Sequence, residues 1–265
     1  MKAQQLWLAA GGAIGALAAL VAFAPAAWLA RVVASASEDR LQFADARGTV
    51  WRGNAVLVIS GGPGSRVAMA LPGRLAWTLA WRGRGFELRA TQACCLNEQL
   101  RLQAEPSLGR LTLRLAPTSG DAAHWPAAWM AGLGAPWNTL QLGGLVRLQS
   151  PGLTLESAQG RLAFTGRAEL LLESLSSRLS TQDPLGSYKL SVDGQPQAGG
   201  SAALNLVTLK GPLLLSGTGL WGGASGAALR FRGEARAEAG AEGALNNLLN
   251  VIGRRQGALS VLTIG

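Results

Sequence analysis

Through most of the chain, apolar and polar positions alternate with a period of two. In Arg110-Leu-Thr-Leu-Arg-Leu115 the leucines fall on one face, with Arg110, Thr112 and Arg114 on the other. Leu100 to Ala104, Leu153 to Glu156 and Tyr188 to Asp193 repeat the pattern. The longest example sets Leu229, Phe231, Ala235, Ala237 and Ala239 against Arg230, Arg232, Glu234, Arg236 and Glu238. Successive side chains of an extended strand point to opposite faces, so each run predicts a strand with one apolar and one solvated side. Gly61-Gly62-Pro63-Gly64, Pro72-Gly73, Pro151-Gly152, Asp193-Gly194, Gly199-Gly200 and Gly222-Gly223 punctuate the runs. Spacings of about 8–12 residues between such turn signals read as many short strands. The expectation is a mainly β fold, an antiparallel sheet that curves or folds over on itself.

Two segments follow a helical period instead. Trp125 and Trp129 lie four apart within Asp121 to Leu133, and Pro126 occupies a position suited to a first helical turn. Leu245, Leu248, Leu249 and Ile252 recur at i, i+3, i+4 and i+7, with Asn246, Asn247 and Asn250 facing away. This predicts a short amphipathic helix over 244–252, stopped by Gly253. The mid-chain helix is expected to divide the β-rich part into two lobes, 47–118 and 137–240.

Leu6 to Ala30 carries no charged side chain and none more polar than tryptophan. As one helix it reaches roughly 38 Å, more than the ~30 Å hydrocarbon core of a bilayer. Trp7 and Trp28 fall near its ends, where amphipathic rings favour the membrane interface. A cleaved secretory signal has a shorter apolar region, about 7–15 residues. Ala22-Phe23-Ala24 is also followed directly by Pro25, a poor context for cleavage. The run therefore predicts a transmembrane helix over 6–30, after a cytoplasmic tail, 1–5. An exit linker, 31–46, and a periplasmic β-rich domain, 47–265, follow it. Gly11 and Gly15 form a Gly-x-x-x-Gly pair that admits close approach of another helix.

Composition narrows the function. Only 15% of residues are charged, against about a quarter in ordinary soluble domains, and the net charge is +9. The arginines are spread singly instead of forming runs, which argues against nucleic acid. His124 is the only histidine, so no Ser-His-Asp or Cys-His arrangement forms without it, and no metal-ligand spacing is visible. No glycine-rich phosphate loop follows a strand, and the carboxylates are scattered. The sequence points to no enzyme, no catalytic or metal-ligating residue and no cofactor. Cys94 and Cys95 are adjacent, and we expect packing residues, with a strained bond or an intermolecular one as alternatives.

Three stretches resemble the type II secretion system protein N family. Gly48-Thr49-Val50-Trp51-Arg52-Gly53 resembles its Gly-Thr-aliphatic-Trp-x-Gly signature, and Leu140-Gln-Leu-Gly143-Gly144-Leu145 its mid-chain glycine-containing strand. The third, the most specific, is Leu248-Leu249-Asn-Val-Ile-Gly253-Arg254-Arg255-Gln256-Gly257, which resembles the family's ending. The adjacent cysteines match none of its motifs. The resemblance implies an accessory inner-membrane component of the type II machine, which exports folded proteins from the periplasm. It would act by contacts with other inner-membrane subunits, meet membrane lipid through its anchor, and homo-oligomers are possible. Local roles also suit these residues: Trp51 filling the apolar face, glycines at turns, and Arg254 and Arg255 at a helix C-terminus where the dipole favours cations.

The competing reading is an AsmA-like envelope protein that handles lipid or lipopolysaccharide in an apolar sheet groove. The two differ in what fills the sheet's inner face. Exposed edge strands would in either case offer sites for strand addition by partners.

Overall fold

The computed structural model describes the chain except residues 1, 97–99, 119, 195–199 and 223–228. Met1 of the expected tail, and Gly199 and Gly223 of two expected turns, therefore lie outside the described residues. Helix α1 spans Lys2–Ala22 and α2 spans Ala26–Ala36. Strands follow as β1 Leu41–Gly48, β2 Arg52–Ser60, β3 Ala68–Ala70, β4 Leu75–Arg82, β5 Gly85–Thr91, β6 Leu100–Ser107, β7 Arg110–Leu115 and β8 Asp121–Pro126. A 3-10 helix, Ala127–Leu133, and the single-turn α3, Trp137–Leu140, lead into β9 Leu142–Ala158 and β10 Arg161–Ser177. The remainder is β11 Gly186–Gly194, β12 Ala202–Lys210, β13 Leu213–Trp221, β14 Leu229–Ala237, α4 Glu242–Ile252, β15 Arg254–Gln256 and β16 Leu259–Ile264.

The strands form one open antiparallel sheet in nearly sequential order, from β1 at one edge to β15 at the other. Its register explains the alternation. Leu79, Leu88, Leu102, Leu115 and Leu153 stand in one cross-strand row from β4 to β9. A second row runs through Leu170, Leu190, Leu206 and Gly217, from β10 to β13. Polar rows alternate with these, such as Gln103, Arg114 and Thr154. A register slip of one residue would move every leucine to the opposite face, so burial of one face sets the pairing.

Among the described residues, two lobes joined by a helix are not found. Asp121–Pro126 is a strand, held because Asp121 accepts hydrogen bonds from Arg147 and Gln149 and the His124 amide donates to the Cys95 carbonyl. Only Ala127–Leu133 turns helical, as a 3-10 segment after Pro126. β9 is 17 residues long, roughly 55 Å, and carries two strands end to end along one edge. β8 pairs with Leu145–Gln149 and β7 with Leu153–Ala158. The sheet therefore runs on without a division. The hairpin β9–β10 bends at irregularities after Arg167 and Glu173, where extra residues interrupt the ladder.

The apolar run at the N-terminus is also not one helix. It breaks after Ala22, because Pro25 lacks an amide hydrogen and disfavours helical geometry in the residue before it. The expected linker, 31–46, is the second half of α2, a Ser37–Arg40 turn and most of β1. Among the described residues, no helix is long and apolar enough to cross a membrane.

Two cores form on the apolar face. The larger joins Leu142, Val146, Leu175, Tyr188 and Leu213 of the sheet to Leu245, Leu248 and Leu249 of α4. The smaller joins Ala26 of α2 to Ala55 and Trp77, with Leu29, Phe43 and Leu88 around them. Buried Tyr188 donates its hydroxyl to the Leu213 carbonyl, and burial pushes its pKa well above the ordinary phenol range.

Candidate anchor-docking site

Gly48 to Gly53 is the tight turn between β1 and β2, and it does more than reverse the chain. A helix leaves its last carbonyls without intrahelical donors. The Trp51 indole N–H donates to the Val21 carbonyl at 2.7 Å, and the Val50 amide donates to the Ala24 carbonyl at 2.9 Å. Thr49 forms an antiparallel bridge with Pro25. The turn therefore caps the end of α1 and holds the break before α2 through these two hydrogen bonds and the bridge.

Each member of the turn has a local reason. The Thr49 amide donates to the Arg52 carbonyl at 2.8 Å, and the Thr49 hydroxyl accepts from the Arg52 amide at 3.1 Å, which closes the loop. Gly48 has φ +87°, and a Cβ there would lie 2.5 Å from the Arg52 carbonyl oxygen. A Cβ at Gly53 would lie 2.5 Å from the Trp77 ring and 2.8 Å from the Arg47 carbonyl oxygen. Trp77, 4% exposed, stacks on Phe43 and donates its indole N–H to the Val50 carbonyl at 3.1 Å. The Leu79 amide donates to the Trp51 carbonyl at 2.8 Å. Helix break, turn and sheet are thus one bonded unit.

Beside the turn, β1 carries an irregularity after Ala44, with Asp45 at φ +48°. Arg74, just before β4, donates to the Asp45 carboxylate at 2.8 Å, to its carbonyl at 2.5 Å and to the Asn54 side chain at 2.6 Å. Arg47 pairs with the same carboxylate at 2.7 Å. Hydrogen bonds from Arg47 and then Arg74 hold the Asp45 carboxyl below its ordinary range.

The other two motifs meet elsewhere, in the larger core. Gly144 takes φ +104° where β9 passes the irregularity of β10, and a Cβ there would lie 2.6 Å from the Glu173 carbonyl oxygen. Gly143 faces Ser176, beside an open cleft of about 740 Å³ lined by Met69, Asn138, Gln141 and Arg178. Leu248 and Leu249 are 1% exposed, and the Leu249 carbonyl accepts the Ser260 hydroxyl at 2.6 Å. Gly253 is extended, not left-handed, and its lack of a side chain matters because a Cβ would sit 2.6 Å from the Val261 carbonyl oxygen. Arg254, Arg255 and Gln256 form β15 against Val261, Ser260 and Leu259, so the two arginines do not end a helix. Gly257, at φ +62°, makes the following turn.

A model of the type II secretion system protein N family matches residues 39–261. The chain belongs to this family. Membership ties it to type II secretion, to protein transport, and to contacts with other components of that system. No curated protein and no solved structure matches. Within this chain, the match begins two residues before β1 and takes in all three stretches.

Sequence reasoning placed the motifs but missed their partners. Pro25 marks the helix break directly, and Trp77 belongs to an apolar alternation, yet nothing in either shows that they converge on the signature turn. The cysteines are a further correction. Cys94 and Cys95 are bonded to each other, not packed as separate thiols. Their turn links β5 towards β6, and Cys94 Sγ lies 2.9 Å from the Pro72 carbonyl oxygen. Adjacent residues in a turn escape the opposite-face rule that holds on a strand.

Proposed function

We propose that this chain is an accessory, non-catalytic component of the type II secretion machine, anchored in the inner membrane by α1 with its sheet in the periplasm. The observation that carries the reading is the family match over 39–261, which covers the sheet up to Val261. The anchor is supported by the uncharged run that begins at Leu6 and by the outward exposure of Ile14, Leu17 and Leu20 on α1. The apolar part of α1, Leu6 to Ala22, rises about 26 Å, at the short end of what crosses a ~30 Å hydrocarbon core, so the proposed span is shorter than the apolar run suggested. The protein acts by contacts with other inner-membrane subunits, with its signature turn transmitting the position of the anchor to the sheet. No nucleic acid, cofactor or reaction enters this role.

The test compares a strain lacking the gene with the same strain carrying it back, by assaying a type II exoprotein in medium and periplasm. Periplasmic retention relieved by the intact gene is expected. Normal export in the deletion strain, with unchanged assembly of the inner-membrane subunits, overturns the reading.

One observation favours lipid handling as a second reading. The leucine face remains only half-buried across β6 and β7, and Leu111 is exposed. An acyl chain lying along that face would cover it. Lipid extracted from the purified protein and identified by mass spectrometry distinguishes this from a secretion role alone.

A further inference from the structure

α2 has two apolar faces, and only one is used by the sheet. Ala26, 1% exposed, and Leu29 pack on Ala55 and Trp77. On the opposite side Trp28 and Val32, spaced i to i+4, are 43% and 64% exposed, and Phe23 at the helix break is 76% exposed. Arg31 beside them is exposed and has no carboxylate partner among the described residues. An apolar face with aromatic side chains and a flanking cation is the composition of a helix lying in a membrane interface.

We propose that α2 lies in the headgroup layer of the bilayer that holds α1. Trp28, Val32 and Phe23 dip towards the acyl boundary, Arg31 meets lipid phosphate, and the sheet packs on the side away from the membrane. The inference rests on the reading of α1 as the anchor. The occupant is the bilayer because α2 follows α1 after three residues and the signature turn bonds the break on both sides, through Val21 and Ala24. These bonds fix the angle between α1 and α2. Geometry makes the claim sharp. Val32 is ten residues beyond Ala22, so an α2 directed along the membrane normal would carry it on the order of 15 Å out. That exceeds a headgroup layer of about 5–8 Å. Only an in-plane α2 keeps Trp28 and Val32 both in lipid.

The experiment uses the full chain in vesicles of phosphatidylethanolamine and phosphatidylglycerol. An environment-sensitive fluorophore is attached in turn to Ile14→Cys, Val32→Cys and Leu111→Cys, with Cys94 and Cys95 left bonded. Lipids spin-labelled at shallow depth and, separately, near the acyl-chain end serve as quenchers, the shallow label for Val32 and the deep label for Ile14. Blue-shifted, quenched emission at Val32, quenching at Ile14 and none at Leu111 are expected. Quenching at Ile14 without quenching at Val32 overturns the in-plane seat and leaves the anchor standing. No quenching at either position overturns the anchor reading itself. A blue shift at Val32 without quenching means that protein, not lipid, covers α2, and also overturns the proposal.

Discussion

Gly53 shows how a single hydrogen atom in place of a side chain supports the site. Gly53→Ala places a methyl against the Trp77 ring and two carbonyl oxygens, none of which is the free end of a flexible chain. Overpacking of this kind costs about 1–3 kcal/mol, and a chemical-denaturation midpoint should fall accordingly. Trp51→Phe keeps an aromatic ring near Phe86 but removes the donor to the Val21 carbonyl. A loss of about 1 kcal/mol is expected, together with faster amide exchange at the end of α1, measured by hydrogen–deuterium exchange. Asp45 gives a pH signature. Its folded carboxyl is held below its ordinary value of 3.8, so its stabilisation is present above that value. It is lost as pH falls through the depressed folded value. Asp45→Asn should therefore lower the thermal midpoint at neutral pH and narrow its gap to the unaltered chain on acidification. A constant gap across that window would show that the two arginines do not set its effect.

At the scale of elements, α4 illustrates the partnership of period and packing. Its leucines at 245, 248 and 249 are all but fully buried against the sheet. Leu249→Ala is expected to cost about 2–5 kcal/mol by leaving a cavity in a closely packed core, readable as a shift in the unfolding midpoint. The edge strands, expected to invite partners, are guarded. β15 has three residues, and β1 carries the Asp45 irregularity with its charges. Short or irregular edges resist strand addition, so subunit contacts are better sought on the faces and turns than along the edges.

For the whole molecule, β9 decides cooperativity. Because β7 and β8 share one edge of it and β10 lines the other, the early and late strands cannot unfold independently. Leu155→Pro, in the interior of β9, removes a ladder hydrogen bond where no edge is available to absorb it. Circular dichroism and tryptophan fluorescence should then report one coincident transition at lower temperature. Separate transitions would mean that the halves are autonomous after all.

The sequence by itself determined the strand-rich class, the amphipathic α4, the family and several of the turns; Pro151-Gly152, which reads as a turn, instead runs within β9. These signals are local: alternation, a helical repeat and residues suited to turns lie within a few positions of one another. Pro25 carried a local signal for the helix break, although the apolar run was expected as one helix over 6–30. Only the tertiary structure decided that Asp121–Pro126 is a strand, because its backbone partners come from β9 and Cys95, well separated from it in the chain. Likewise, it brought Trp51 to Val21 and Trp77 to Val50, and turned Arg254 and Arg255 from a supposed helix end into an edge strand. The signature turn reads as an ordinary turn until the fold supplies the helix end that it caps. Such pairings depend on which segments the sheet's register brings together, and no local pattern encodes that register.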